Sequence, residues 1–140
     1  MLSYLKADDT LFMQQYDSLE TAIRSAGKIL EDQKYILHSY IDAMVELVKQ
    51  NGPYIVIMPG VALAHARPEG NVLENRISLV TCNEGVKSGN PSNDPVLAVF
   101  AIAAKTDAEH LVLFRDVAKY IESQKNVDRL FKAECYEDLF

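Results

Sequence analysis

The spacing of apolar residues in the first third of the chain predicts two amphipathic helices. Asp17 followed by Glu20 is typical of an N-cap with its capping-box partner, so the first helix is placed at 18–30. A second run with helical spacing predicts another helix over 33–50, and Gly52-Pro53 ends it. This part of the chain is therefore expected to be helical.

Short apolar runs in the middle of the chain predict three strands. Residues 54–58 are apolar, mostly β-branched or aromatic, and bounded by turn residues, which favours a buried strand. A second strand is predicted at 77–82. The run 96–104 is nearly all apolar, and this is typical of a central strand covered on both faces. Between them, 83–95 is rich in Gly, Asn, Ser and Pro and is expected to be the longest loop.

Helical spacing returns in the last third of the chain. Asp107 is expected to cap a helix that ends near Glu122, and Asn126 to begin a last helix of one or two turns. Residues 1–16 are weakly patterned and suggest only an amphipathic lead-in. The order ααβ-loop-ββαα, without repeats or linkers, predicts a single α/β domain over 1–140 with a small sheet covered by helices.

Composition narrows the possible functions. A chain of 140 residues that is 49% hydrophobic can form a real core. Its net charge of -6, from 14 basic and 20 acidic residues, disfavours nonspecific nucleic-acid binding. No apolar run approaches the roughly 20 residues that span a bilayer, and no signal-peptide pattern opens the chain. Two isolated cysteines are not a disulfide framework, so we expect a reduced, cytoplasmic protein without direct membrane insertion.

The segment 59–68 carries the most chemistry because it presents His65 and, two residues later, Arg67. Prolines at both ends of the segment restrict its backbone. Loops on rigid supports often carry functional groups, although a lone loop histidine can equally be an ordinary surface residue. His38, placed near the middle of the second predicted helix, is interpreted as structural.

His110 favours the functional interpretation of His65. It lies in the first turn of the third predicted helix, where free N–H groups attract an anion. If the strands at 54–58 and 96–104 are parallel neighbours, their carboxyl ends bring both histidines to one edge of the sheet, where ligands of open α/β sheets bind. A neutral imidazole is a nucleophile, and a second imidazole with Arg67 could stabilise phosphoryl oxygens. These residues therefore suit phosphoryl transfer.

Two other chemistries fit the sequence less well. A metal site would need His65, His110 and a further ligand, but no close ligand pair exists and Arg67 would repel a cation. Cys82 ends an apolar strand, where a buried inert thiol is expected, and Cys135 lies in the last helical segment beside glutamates that disfavour a thiolate. No glycine-rich phosphate loop is present, so no nucleotide is indicated.

Two separated segments resemble a known protein family. Pro-Gly-Val-Ala-Leu-Ala-His-Ala-Arg-Pro-Glu at 59–69 resembles the active-site segment of enzyme IIA components of the bacterial sugar phosphotransferase system, mannitol/fructose class. The fuller segment 52–69, with Asn-Asp-Pro at 93–95, is most similar to the ascorbate-type branch. Residues 103–111 are similar to the family's second histidine segment. One departure is Ala64, where the family commonly has proline, so rigidity there must come from packing.

The resemblance implies a mannitol-type IIA fold, a small mixed and mostly parallel sheet flanked by helices on both faces. It implies that His65 accepts a phosphoryl group from phospho-HPr, a small carrier protein, and passes it to a cysteine of an enzyme IIB partner. That partner serves a membrane IIC permease, here for an ascorbate-like or pentitol-like sugar. His110 would hydrogen-bond the phosphoryl group and Arg67 would stabilise its charge, without a metal or cofactor.

The partner surface is expected to be an apolar rim around Val61 and Leu63. An alternative function from another class is a regulatory module of the same transport system, in which the phosphorylation state of His65 controls a partner protein. The phosphocarrier is the first hypothesis and the regulatory module the second, and a third interpretation is a small acidic binding protein whose histidines are incidental.

Overall fold

The computed structural model describes residues 2–140 and contains a five-stranded sheet with helices on both faces. In chain order the elements are β1 (Leu5–Gln14), α1 (Leu19–Asp32), α2 (His38–Asn51), β2 (Val56–Met58), β3 (Val61–Ala64), β4 (Arg76–Val86), β5 (Val96–Ala103), α3 (Asp107–Ile121), α4 (Gln124–Lys132) and a 3₁₀ turn (Tyr136–Leu139). The predicted α/β class with a helix-covered sheet is confirmed.

The strand order in the sheet is β1-β4-β5-β3-β2. β1 pairs in parallel with β4, and β3 pairs in parallel with β5, whereas β4–β5 and β2–β3 are antiparallel. The sheet is mixed, as expected, with parallel and antiparallel pairings in equal number instead of a parallel majority. β5 is the third of five strands, which confirms the central position predicted for 96–104.

The two faces of the sheet hold two separate apolar layers. One layer contains α1 and α2, and the other contains α3 and α4. Side chains alternate between the faces along β3, with Ala62 and Ala64 in the α1/α2 layer and Val61 and Leu63 in the α3/α4 layer. Continued by one residue, this alternation assigns His65 to the face that α3 covers.

Two helices begin at hydroxyl residues instead of the predicted aspartates. Ser18, not Asp17, is the N-cap of α1, and Thr106, not Asp107, is the N-cap of α3. Both caps have extended backbone angles, and each hydroxyl accepts a hydrogen bond from the backbone N–H three residues later. The predicted capping box is therefore shifted by one residue along α1.

The other helix starts also differ from the prediction. α2 begins at His38, not near residue 33, because Ile36 forms a β-bridge with Val72 and keeps the preceding residues out of the helix. His38 is therefore the exposed first residue of α2, and its Nδ1 lies 3.2 Å from a carboxylate oxygen of Glu31. α4 begins at Gln124, two residues before the predicted start.

Two strands were not predicted. β1 forms from the weakly patterned N-terminal residues and lies at the edge of the sheet, with a register shift between Leu5 and Thr10 that interrupts its pairing with β4. β3 lies inside the segment predicted as a histidine loop. In addition, β4 continues to Val86, so the long loop begins later than expected.

Candidate functional site

His65 follows a buried strand and not a long loop. β3 pairs with β5 residue for residue, from Val61 opposite Ala98 to Ala64 opposite Ala101. The strand predicted at 54–58 is shorter and antiparallel to β3 at the sheet edge, so the condition that it be a parallel neighbour of β5 is not met. The expected consequence still holds, because β3 and β5 are parallel and their carboxyl ends lie at the same edge. His65 follows β3, and α3 follows β5.

The structure brings the two predicted histidines into contact. The ring centroids of His65 and His110 are 5.0 Å apart, with an angle of 50° between the ring planes. His110 is held in the first turn of α3, where its backbone N–H donates to the Thr106 carbonyl at 2.9 Å. Both histidines are half-buried, so each ring combines a fixed environment with access to a partner.

The His65 ring has a defined orientation. Its Nδ1 lies 2.9 Å from the backbone carbonyl oxygen of Leu63. A carbonyl oxygen only accepts hydrogen bonds, so Nδ1 carries the proton in this geometry and the lone pair of the neutral ring is on Nε2. Within residues 2–140, no group hydrogen-bonds that Nε2. Nε2 is therefore the available nucleophile.

The electrostatic environment keeps His110 neutral at pH 7. Partial burial lowers the pKa of its imidazole below 6.5, and the neighbouring His65 lowers it further. The Asp107 carboxylate raises this pKa, but by less than burial lowers it. A neutral imidazole has one N–H to donate and one lone pair, so His110 can hydrogen-bond a group attached to its neighbour.

Two further aromatic rings flank the histidines. The Tyr54 ring meets the His65 ring edge to face, with centroids 5.7 Å apart and planes at 88°, and the Phe114 ring is 6.3 Å from His110. Burial raises the pKa of the Tyr54 phenol, so this side chain stays neutral. The apolar pattern places Tyr54 in a strand, and no local pattern in the sequence indicates its contact with His65.

The third predicted site residue, Arg67, is exposed. Within the described residues, it forms no hydrogen bond or ion pair. Its guanidinium is thus uncommitted two residues beyond His65. On the other side of the histidine, Ala64 is buried and paired with Ala101, so the sheet itself restrains the position where the family commonly has proline.

The prediction of a partner surface around Val61 and Leu63 is wrong. Val61 and Leu63 are completely buried in the sheet and form no rim. The exposed apolar side chains next to the histidines are instead Leu111 on α3, 62% exposed, and Tyr54, 43% exposed. We call these two side chains the apolar rim.

The alternative chemistries gain no support from the geometry. Cys82 is buried, and burial raises the pKa of its thiol to about 11, which disfavours a thiolate. Cys135 is exposed and lies after α4, outside the helix in which it was placed. Between residues 2 and 140, no cluster of three or more His, Cys, Asp or Glu could hold a metal ion. No helix in that range is both long and apolar enough to cross a bilayer.

Comparison with known proteins places the chain in a family. The family model described as phosphoenolpyruvate-dependent sugar phosphotransferase system, EIIA 2, matches residues 3–140. The ascorbate-specific EIIA component from Escherichia coli is 32% identical over 117 residues, covering 81% of this chain and 75% of the relative.

Solved structures agree with this match. The mannitol-specific cryptic enzyme IIA from Escherichia coli superposes with a TM-score of 0.86 at 25% identity, covering 97% of this chain and 92% of that one. Enzyme IIA of mannitol from Escherichia coli, solved in complex with phosphorylated enzyme IIB, shares the fold with a TM-score of 0.85 at 22% identity, covering 96% and 94%. The chain therefore belongs to the EIIA 2 family of the phosphoenolpyruvate-dependent sugar phosphotransferase system, as an EIIA component of the mannitol/ascorbate type.

Proposed function

We propose that this chain is a phosphocarrier that accepts a phosphoryl group on Nε2 of His65 from phospho-HPr and passes it to a cysteine of an enzyme IIB partner. The observation that carries this proposal is the His65 ring itself, whose Nδ1 is engaged by the Leu63 carbonyl while Nε2 stays unbonded beside His110. The name of the ascorbate-specific relative supports the uptake of an ascorbate-like or pentitol-like sugar.

Each transfer is a displacement at phosphorus that needs no cofactor. The Nε2 lone pair of His65 forms a bond to phosphorus while the bond to the donor's nitrogen breaks, and the donor nitrogen keeps its electron pair. In the second transfer, the thiolate of the IIB cysteine attacks phosphorus, and Nε2 leaves with the electron pair. In both steps the proton stays on Nδ1 and is donated in a hydrogen bond to the Leu63 carbonyl, which keeps the ring oriented.

The surrounding groups are suited to stabilising the phosphoryl group. His110 donates its N–H to a phosphoryl oxygen, and Arg67 supplies the positive charge. A phosphoryl group adds close to two negative charges to a chain of net charge -6. Salt screens the long-range repulsion over roughly 10 Å, whereas each direct charge-assisted hydrogen bond contributes about 1.5–3 kcal/mol. The local donors therefore outweigh the global charge.

Partner docking follows from the same geometry. The reacting atom of HPr or IIB must reach bonding distance of Nε2, so the partner must cover the surface around His65. That surface is the apolar rim, which lies on both sides of the histidine pair. Burial of apolar side chains supplies affinity that does not depend on net charge, as a negatively charged carrier domain requires.

The experiment that tests this proposal is phosphorylation with enzyme I, HPr and labelled phosphoenolpyruvate. We expect acid-labile, base-stable label on the chain, with a phosphorus resonance typical of Nε2-linked phosphohistidine, and no label on His65→Ala. His38→Ala is the matched control, because His38 is an exposed histidine at the start of α2, where it pairs with Glu31 of α1. Label of equal amount on His65→Ala would disprove the site.

A chase with IIB protein separates the two candidate roles. Transfer of the label to a IIB cysteine, and then to sugar, supports transport. Stable phosphorylation without transfer to IIB supports the regulatory alternative, in which the phosphorylation state of His65 controls another protein.

A further inference from the structure

A buried tyrosine connects the two segments that carry the histidines. Tyr40 in α2 is completely buried, and its hydroxyl lies between the chain just after His65 and the end of β5. The backbone N–H of Ala66 donates to the Tyr40 oxygen at 3.1 Å, and the Tyr40 hydroxyl donates to the Ile102 carbonyl at 2.6 Å. The Ala66 carbonyl lies 3.2 Å from the same hydroxyl, so its single proton is assigned to the shorter contact with Ile102. The hydroxyl thus accepts from the chain after His65 and donates to β5.

The hydroxyl occupies the place of the next hydrogen bond in the β3–β5 ladder. The ladder begins where the Ala98 N–H donates to the Gly60 carbonyl at 2.9 Å, and its last pair is Ala64 opposite Ala101. In a parallel pair the bonds are evenly spaced at every second residue of one strand. Continued by this rule, the ladder would place the Ala66 N–H opposite the Ile102 carbonyl.

The inserted hydroxyl therefore replaces a direct bond between the strands. Without it, the Ala66 N–H would reach the Ile102 carbonyl only if the two chains moved closer together. The hydroxyl keeps its proton at every physiological pH, since burial raises the pKa of Tyr40 to about 12. The separation of the strand ends is then fixed by a side chain from α2, which lies on the opposite face of the sheet from α3.

We propose that Tyr40 is a positioning residue for phosphoryl transfer, whose hydroxyl sets the separation of the ends of β3 and β5 and thereby the spacing of the His65 and His110 rings. The catalytic part of this inference rests on the proposed function of His65. The effect of Tyr40 on the spacing of the two rings does not depend on that function, because the spacing is a property of the unphosphorylated protein.

The test compares Tyr40→Phe with Tyr120→Phe. Tyr120 is a matched control, since it is also buried, its hydroxyl also donates to a backbone carbonyl at 2.6 Å, that of Leu139, and burial also raises its pKa to about 12. Two kinds of measurement are made at a temperature where both variants are folded. They are the imidazole ¹⁵N chemical shifts of His65 and His110, and kcat and KM for transfer from phospho-HPr.

For Tyr40→Phe, we expect changed imidazole shifts and a loss of kcat of roughly 10- to 100-fold with little change in KM, as for a displaced catalytic group. Tyr120→Phe should keep the wild-type shifts and a kcat within about twofold of wild type, because it acts at a distant, independent site. Equal kcat losses in the two variants, or wild-type imidazole shifts in Tyr40→Phe, would overturn the proposal.

One outcome separates this inference from the proposed function, and a further measurement covers a variant that does not fold. If the wild-type protein takes no phosphoryl group on His65, the proposed function fails, while the imidazole shifts still test the ring spacing. If Tyr40→Phe does not fold, amide exchange of the wild-type protein decides instead. Slow exchange of the Ala66 N–H, at the level of the β3 amides, is expected, and exchange at the rate of an unbonded amide contradicts the bridge.

Discussion

At the scale of single residues, the two histidines of the candidate site have different environments. His65 has its Nδ1 engaged by the Leu63 carbonyl, which leaves Nε2 as the nitrogen open to a partner. His110 is kept neutral by burial and by the neighbouring ring. Two positively charged imidazoles 5.0 Å apart would repel each other, so the lowered pKa of His110 also maintains their contact.

The lowered pKa of His110 predicts a pH dependence. In the unfolded chain this group titrates near 6.5, and in the folded protein below that value. The unfolded state therefore binds more protons between the two pKa values, and the contribution of His110 to the free energy of unfolding is lost as the pH falls below 6.5. We expect chemical denaturation at a series of pH values to show a steeper decline for wild type than for His110→Asn.

Phosphorylation should reverse the direction of this shift. A dianionic group on His65 favours the protonated form of the adjacent imidazole, so the pKa of His110 should rise when His65 is modified. Titration of the ring resonances by NMR in the free and phosphorylated protein measures this directly. An unchanged pKa would show that His110 does not contact the phosphoryl group.

Residue types in the sequence were sufficient to predict the histidine pair, but not the tyrosines that contact the histidine segments. His65 and His110 stand beside turn residues and a helix start, and such local patterns are visible in the sequence. Tyr40 and Tyr54 have no such signal, because their roles depend on which distant backbone atoms they meet. Val61 and Leu63 were misassigned to the surface since a short alanine-rich strand between two prolines resembles a loop.

At the scale of elements, the first turn of α3 holds His110 in place. The Thr106 hydroxyl accepts from the Glu109 N–H at 3.1 Å and caps that turn. Removing this cap with Thr106→Ala should lower the free energy of unfolding by about 1 kcal/mol. It should also slow phosphoryl transfer, because a frayed first turn no longer fixes the imidazole.

A second cap in the chain provides the control for this prediction. Ser123 caps α4 in the same way, through its hydroxyl and the Asn126 N–H at 3.3 Å. Ser123→Ala should therefore lower stability by a similar amount without slowing transfer. Equal slowing in both variants would mean that the cap of α3 acts only through global stability.

The outer face of α3 is predicted to bind the partner. Leu111 is 62% exposed directly after His110, so Leu111→Ala should change stability little and raise KM for phospho-HPr roughly 5- to 10-fold, the equivalent of about 1–1.4 kcal/mol of binding energy. Leu11→Ala is the control, because Leu11 is also exposed but lies on β1, at the far edge of the sheet. Steady-state kinetics with phospho-HPr measures both, and an unchanged KM for Leu111→Ala would exclude this face from docking.

Elements with a regular period were predicted well, and those without one were missed. α1 has the helical spacing of a helix that buries one face, and β5 has the nearly continuous apolar run of a strand that is buried on both faces. β1 contains charged residues and a register shift that destroy its alternation, so its pairing with β4 is decided by the sheet and not by its own sequence. The caps of α1 and α3 were displaced by one residue because neighbouring side chains compete as caps, whereas α2 starts later than predicted because Ile36 is held in a β-bridge with Val72.

At the scale of the whole molecule, one sheet separates two apolar layers that serve different parts of the site. The α1/α2 layer contains Tyr40, and the α3/α4 layer supports the helix that carries His110. Both layers pack on alternate residues of the same strands. Loss of packing in one layer therefore disturbs the strands on which the other layer packs. The single-domain prediction can therefore be tested by measuring whether damage to one layer destabilises the other.

If residues 1–140 form a single domain, damage to either layer must destabilise both. Leu30 in α1 and Leu130 in α4 are both completely buried, one in each layer. Leu30→Ala and Leu130→Ala should each lower the free energy of unfolding by about 2–5 kcal/mol. Far-UV and near-UV circular dichroism should follow one coincident transition in both variants, as two-state unfolding requires. Separate transitions in either variant would show that the layers fold as independent units, and α2 could then not hold the histidine segments in register through Tyr40.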